Sequence, residues 1–365
     1  MAGFFRSKTF IIMLLSLVRR IFLLFVALVI SACSSSSGES STSSAIVGLT
    51  LSADGNTLYL ANTDKHVIQA LNLTTLTVST YAGAADSAGT ANGASTAARF
   101  YGPYSMVNVA GSLFVADTYN QGIREIDSSQ AVTTLAGKLG YFGDTDDTGV
   151  DALFNYPKGI TAVGTDLYVA DTSNYLIRKV TAAGVVTSFA GSSGSAGYVD
   201  GTSGVKFGAP FAVAANATYI FVSDSANNSI RSIKISDGTV ATVAGSTSGT
   251  SGSTDSTGTS ARFKKPAGIV SDGTDILYVA DSGNHAIRKI DLSTTPATIT
   301  TIAGTSDPDN YGFDNGTGAA AKFNTPIGLA LDTANGILYV SDQNYTKVRK
   351  IVLSTGAVTT LNATF

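Results

Sequence analysis

The sequence predicts an all-β ring: a six-bladed β-propeller with four antiparallel strands per blade. Three observations carry that prediction. A fourteen-residue string recurs: LYVADTSNYLIRKV at 167–180, LYVADSGNHAIRKI at 277–290, LFVADTYNQGIREI at 113–126, IFVSDSANNSIRSI at 220–233, LYVSDQNYTKVRKI at 338–351, and a diverged LYLANTDKHVIQAL at 58–71. The copies start at Leu58, Leu113, Leu167, Ile220, Leu277 and Leu338, spaced by 55, 54, 53, 57 and 61 residues, and a fixed period of this size marks a repeat architecture. Segments such as Leu167-Tyr168-Val169-Ala170 are apolar on both alternating sets of side chains, so each sheet needs cover on both faces. A closed ring of sheets supplies that cover.

Within each unit the elements follow in one order. A short apolar segment comes first, as in GITAV at 159–163, AGIVS at 267–271 and IGLAL at 327–331. The recurring string supplies two strands and the turn between them. A fourth segment closes the unit: VSTYAG, VTTLAG, VTSFAG, VATVAG, ITTIAG and finally VTTLNA. The first unit has its own inner strand, AIVGLTL at 45–51, and the last ends with VTTL at 358–361. No blade is therefore shared between the termini, and the ring closes by packing the sixth blade on the first. Five of the seven prolines fall in Phe-x-x-Pro: Phe100/Pro103, Phe154/Pro157, Phe207/Pro210, Phe263/Pro266 and Phe323/Pro326. A proline at the start of an inner strand sets φ and needs no ladder donor, with the phenylalanine expected to plug between blades.

The chain of 365 residues divides as residues 1–32, 33–44 and 45–365. Residues 1–32 carry four positive charges and no acid, against a formal charge of −3 for the whole, so the remainder carries −7. That balance argues against a nucleic-acid partner, which needs a basic face. Arg19-Arg20, the apolar run IFLLFVALVI at 21–30 and the small residues before Cys33 have the layout of an export signal, which has ordinary length if translation starts at Met13. Ile30-Ser31-Ala32-Cys33 resembles the bacterial lipobox, which implies cleavage after Ala32 and a lipid on Cys33, the single cysteine. SSSSGESSTSS at 34–44 reads as a flexible tether. The resulting expectation is an exported, monomeric protein, lipid-anchored to a bilayer of the bacterial cell envelope.

The recurring string resembles the NHL-repeat family, over about 45–365. Its D-x-x-N-x-x-I-R motif is complete in units two to five, and unit six keeps Asp342, Val348 and Arg349 with Tyr345 at the asparagine position. The resemblance implies the propeller fold and leaves function open.

Each motif aspartate precedes an arginine by seven residues: Asp117 and Arg124, Asp171 and Arg178, Asp224 and Arg231, Asp281 and Arg288, Asp342 and Arg349. In unit one Asn62 and Gln69 replace both charges at once. The joint replacement says that the two side chains meet across the turn, as structural pairs rather than catalytic acids. The motif asparagines Asn120, Asn174, Asn227 and Asn284 suit a left-handed turn position. His66 and His285 share one register and read as structural.

Strand alternation puts the motif turns and the inter-blade loops (84–99, 138–153, 192–206, 246–262 and 305–322) on one face. Variable loops on a rigid scaffold make a binding surface, with Tyr119, Tyr141, Phe142, Tyr175, Tyr198 and Tyr345 as candidate contacts and Tyr101 and Tyr156 nearby. Asp144/Asp146 and Asp307/Asp309 begin like calcium loops, yet Asn155 and Gly318 stand where the closing glutamate belongs; no cofactor is expected, with calcium the one cation these loops suggest. Two histidines, only Glu39 and Glu125 as glutamates after the signal, and no G-x-S-x-G elbow make thin material for an enzyme. The expectation is a binding or scaffold module for an envelope protein, peptide or glycan. The rival is a metal-dependent lyase or hydrolase with its site in the central channel.

Overall fold

The computed structural model describes residues 45–365 except Gln343, Tyr345 and Thr346. The export segment, Cys33 and the serine-rich tether lie outside the described residues. The described chain forms six antiparallel sheets in sequence order. Blade one runs Ile46–Leu51, Thr57–Asn62, Val67–Asn72 and Val78–Ala82. Blade three runs Pro157–Val163, Asp166–Asp171, Leu176–Val180 and Val186–Gly191. In each blade the first strand is innermost, and the four pair with their sequence neighbours.

Burial on both faces is what closes the ring. Leu167 through Asp171 are all buried, although their side chains alternate between the two faces. One apolar cluster fills each of the six junctions. Phe100, Phe154, Phe207, Phe263 and Phe323 are fully buried in these clusters. Phe100, for instance, joins Ile68 and Ala82 of blade one to Leu113 and Val115 of blade two. The sixth junction packs Leu58 and Leu60 against Tyr339 and Val348.

A bond between neighbouring blades spans each junction. Thr63, Thr118 and Thr172 donate from Oγ1 to the carbonyls of Pro103, Pro157 and Pro210 at 2.7, 2.6 and 2.8 Å. Ser282 does the same for Pro326. In blades four and six the donor sits two residues earlier, on Ser223 to Ala267 O (2.5 Å) and Ser341 to Val47 O (2.8 Å), which accounts for Val-Ser-Asp there in place of Val-Ala-Asp. Close approach of the inner strands needs glycine. A Cβ on Gly328 would stand 1.9 Å from Val47 O, and one on Gly268 2.0 Å from Ile327 O.

Two details differ from the sequence reading. Blades two, five and six gain a fifth, two-residue outer strand (Gly93–Ala94, Ser256–Thr257, Gly316–Thr317), and single bridges Thr148–Val185 and Gly201–Val240 mark the same place in blades three and four. These segments belong to inter-blade loops that cross the exposed edge of the outer strand, where unpaired backbone groups would otherwise remain. The left-handed residue of the motif turn is also one position beyond the asparagine. Thr118–Asn120 form a 3₁₀ turn, and Gln121 follows with φ 62°; Tyr175, Asn228, His66 and His285 repeat that geometry.

Candidate functional site

The loop face is built on the buried arginines. Strands two and three pair so that Val115 faces Arg124 and Asp117 faces Gly122, which brings the aspartate and arginine side chains together at the end of the hairpin. Arg124 Nη1 donates to Asp117 Oδ2 at 2.9 Å, and both side chains are fully buried. The pairs Arg178–Asp171 (2.9 Å), Arg231–Asp224 (3.2 Å), Arg288–Asp281 (2.8 Å) and Arg349–Asp342 (3.3 Å) are buried likewise. Asp117 also accepts from Asn120 Nδ2 (2.8 Å) and Tyr101 N (2.8 Å). Burial nevertheless pushes the carboxyls of Asp117, Asp171 and Asp281 up to about 6, against the pull of their arginines and hydrogen-bond donors.

Each arginine also grips the loop leading into its own blade. Arg124 donates to the carbonyls of Arg99 (2.9 Å) and Ala91 (3.0 Å) and to Asn92 Oδ1 (2.7 Å). The guanidinium carbon lies 5.2 Å from the centre of the Phe100 ring, and the other four arginines lie over Phe154, Phe207, Phe263 and Phe323 in the same way. The loop-side acceptors are Asn92, Asp146, Asp200, Asp255 and Asn315. They were missed as a set in the sequence because the loops vary in length; an Asp or Asn 31 to 34 residues before each arginine was the available signal.

This geometry sorts the candidate residues. Asp146 binds Arg178 Nη2 at 2.6 Å and the backbone N–H of Ser188, so its carboxylate anchors the loop instead of opening a calcium site. Asp144 accepts from Ser193 Oγ, and Asp307 accepts from the N–H of Asp309. Among the described residues no group of three or more His, Cys, Asp or Glu gathers in metal-binding geometry. Tyr198 packs under Arg231 at 4.5 Å and bonds Thr242, a place inside the blade. Tyr175 occupies the left-handed turn position and is half-buried. Tyr345 lies outside the described residues.

Of the remaining aromatics Tyr101, Tyr119, Tyr141 and Phe142 are exposed, His66 and Tyr156 are half-buried, and several touch. Rings run from His66 to Tyr101 (5.3 Å between centres), Tyr101 to Tyr119 (5.1 Å) and Tyr119 to Tyr156 (5.8 Å), crossing blades one to three. Tyr101 is 44% exposed and Tyr119 38%. Tyr141 and Phe142 stand out from the next loop at 61% and 73%, with Lys138 Nζ 4.9 Å from the Tyr141 ring. Tyr311 and Phe313 are exposed in the last inter-blade loop and escaped the sequence reading. The histidines act as latches between blades: His66 Nδ1 accepts from Gly102 N (3.3 Å) and His285 Nδ1 from Thr325 N (2.9 Å). Gln121 and Asn228 accept the equivalent bonds. Burial holds the His285 imidazole below its usual range, which favours the neutral form that such an acceptor needs.

The central channel encloses a cavity of about 340 Å³ whose lining side chains, among them Leu49, Thr50, Tyr104, Ile160, Phe211 and Leu329, are all uncharged.

Comparison with known proteins follows the fold. Residues 263–290 match the NHL repeat. The human NHL repeat-containing protein 2 is 26% identical over 302 residues, 72% of this chain and 40% of that protein. The chain spans between 24% and 40% of the length of the curated relatives it matches. Among solved structures, an auxiliary nutrient binding protein from Bacteroides thetaiotaomicron superposes with a TM-score of 0.61 at 16% identity, covering 88% of this chain and 70% of the other. A virginiamycin B lyase from Staphylococcus aureus gives 0.52 at 13% identity, covering 87% and 84%. Binding proteins and enzymes thus share the architecture, and at these identities the likeness concerns the fold. The family-model match on the fifth copy of its string and NHL-repeat relatives over 72% and 71% of the chain support an NHL-repeat β-propeller family.

Proposed function

We propose that this propeller is an exported binding module, held to a bacterial envelope through an acylated Cys33, that takes a protein, peptide or glycan on its loop face. The observation that carries the reading is the aromatic run His66–Tyr101–Tyr119–Tyr156, exposed at Tyr101 and Tyr119 and extended by the exposed Tyr141 and Phe142. Aromatic faces that keep solvent contact while being fixed by neighbouring rings offer apolar contact area at little ordering cost. The scaffold beneath is rigid, because each arginine ties loop, turn and blade together. The fold shared with an auxiliary nutrient binding protein supports the same reading. Anchoring rests on the sequence around Cys33 alone.

The test captures partners from solubilised envelope on the immobilised full chain, with Tyr101→Ser/Tyr119→Ser as the comparison. A dominant partner retained by the parent and lost from the double variant supports the reading. Equal retention by both removes the aromatic face from it. Incorporation of an alkyne-labelled fatty acid that vanishes in Cys33→Ser checks the anchor; labelling that persists places the lipid elsewhere.

A further inference from the structure

The mouth of the central channel on the loop side carries a charge that nothing in the ring balances. The second residue of each inner strand rings this mouth: Val47, Tyr104, Lys158, Phe211, Ala267 and Ile327. These residues lie toward the loop face because the residue before each pairs with the end of the second strand, as Pro103 does with Asp117 and Pro157 with Asp171. Val47, Ala267 and Ile327 cluster there, with Tyr104 and Phe211 packed against them. Five of the six are uncharged, and Lys158 is the exception.

Lys158 Nζ lies 5.2 Å from the centre of the Tyr104 ring and 4.8 Å from that of Phe211, and the two rings meet edge to face at 5.5 Å. Among the described residues no carboxylate and no hydrogen-bond acceptor reaches the ammonium. Burial pulls its pKa down. Ring faces attract the positive charge, yet no group of the described residues accepts from the three N–H donors of this half-buried side chain. A valine, alanine or isoleucine, as in blades one, five and six, would line this mouth without desolvating an amine. Next to the lysine lies the uncharged cavity, large enough for a small apolar body.

We propose that this mouth binds a carboxylate carried on an apolar body, the carboxylate on Lys158 Nζ and the body against Tyr104, Phe211 and the channel wall. The carboxylate supplies the missing acceptor and the counter-charge in one group. This site deepens the loop-face reading, at whose centre it sits. A free organic acid and the C-terminus of an apolar peptide present the same chemistry.

The test is calorimetric titration of the full chain in non-ionic detergent with four probes: hexanoate, hexanamide, acetyl-Ala-Leu with a free carboxylate, and its C-terminal amide. The expected result is one site for the acids, with the matched amides at least tenfold weaker. K158M should lose that tenfold preference at an unchanged melting temperature, and K158R should keep it. The acid–amide comparison on the parent protein decides the matter even if K158M fails to fold. Stronger binding of the peptide acid than of hexanoate assigns a peptide source, and the reverse assigns a free acid. Equal binding of acid and amide, no binding of any probe, or an undiminished acid preference in K158M overturns the proposal. Tyr101→Ser/Tyr119→Ser should lose the envelope partner and keep hexanoate, so the two readings fail separately.

Discussion

Blade one and the five blades after it solve the same junction with different chemistry. In blades two to six a buried arginine meets the motif aspartate. In blade one Asn62 Nδ2 donates to Gln69 Oε1 at 3.0 Å, with both residues buried. The hairpin therefore does not need an ion pair to form. What the arginine adds is its second set of bonds, to the loop that enters its own blade. The counterpart of that loop in blade one falls before Ala45, outside the described residues. A buried charge pair costs desolvation that its own attraction does not always offset, so a full set of loop carbonyls is the physical reason to keep it. The comparison assigns the ion pairs to holding the loop face in place.

The largest test removes one charge. Arg178→Gln leaves Asp171 buried and unpaired and should cost about 3–5 kcal/mol. Arg178→Gln with Asp171→Asn copies blade one and should recover about half of that loss in urea unfolding. A double variant as stable as the parent would break the comparison, by showing that the bonds from Arg178 to the loop add nothing.

Next comes the closing junction, where blade one meets blade six. Gly328→Ala forces a Cβ against Val47 O and should destabilise by about 3 kcal/mol, with spectroscopic strain confined to blades one and six. A neutral outcome would mean that this junction yields where the other five do not.

The pH dependence sharpens the contrast further. The folded pKa of Asp171 is raised to about 6 from 3.8, so the folded state holds the proton more tightly than the unfolded chain. The associated stability is complete below about pH 4 and is lost as pH rises through 6. Unfolding free energies from urea titrations between pH 4.5 and 7.5 should fall with pH, by about 2 kcal/mol less in Asp171→Asn/Arg178→Gln than in the parent. Identical profiles would remove Asp171 as a titrating group.

The smallest effect belongs to the loop carboxylates. Asp146 pairs with Arg178 but is 46% exposed, and Asn stands at this place in blades two and six. Asp146→Asn should cost under about 1 kcal/mol. A loss as large as that of Arg178→Gln would transfer the anchoring role from the loop carbonyls to the side chain.

Much of this was legible because the repeat is local. The interval of seven between Asp117 and Arg124 is two strand ends and a turn, and Phe100 and Pro103 mark the entry to an inner strand. The fifth outer strands were not legible, since Gly93–Ala94 and Ser256–Thr257 have no strand pattern and pair only because the loop is laid along an open edge. The position of the left-handed residue was misjudged by one, because Asn120 is spent on Asp117 and the Gly89 carbonyl. Tyr198 of an inter-blade loop and Tyr119 of the recurring string were equal candidates for contact; one lies under Arg231 and the other stays exposed, which no local pattern separates.

The sequence by itself determined the number of blades, the strand order within each and the residues of every hairpin, because these depend on alternation and turns a few residues long. Only the tertiary structure decided which loop each arginine grips, which aromatics meet, and that Lys158 stands unpaired beside Tyr104 and Phe211. Those residues are about 54 positions apart from one blade to the next, and a contact at that separation is set by the closing of the ring, which no local pattern records.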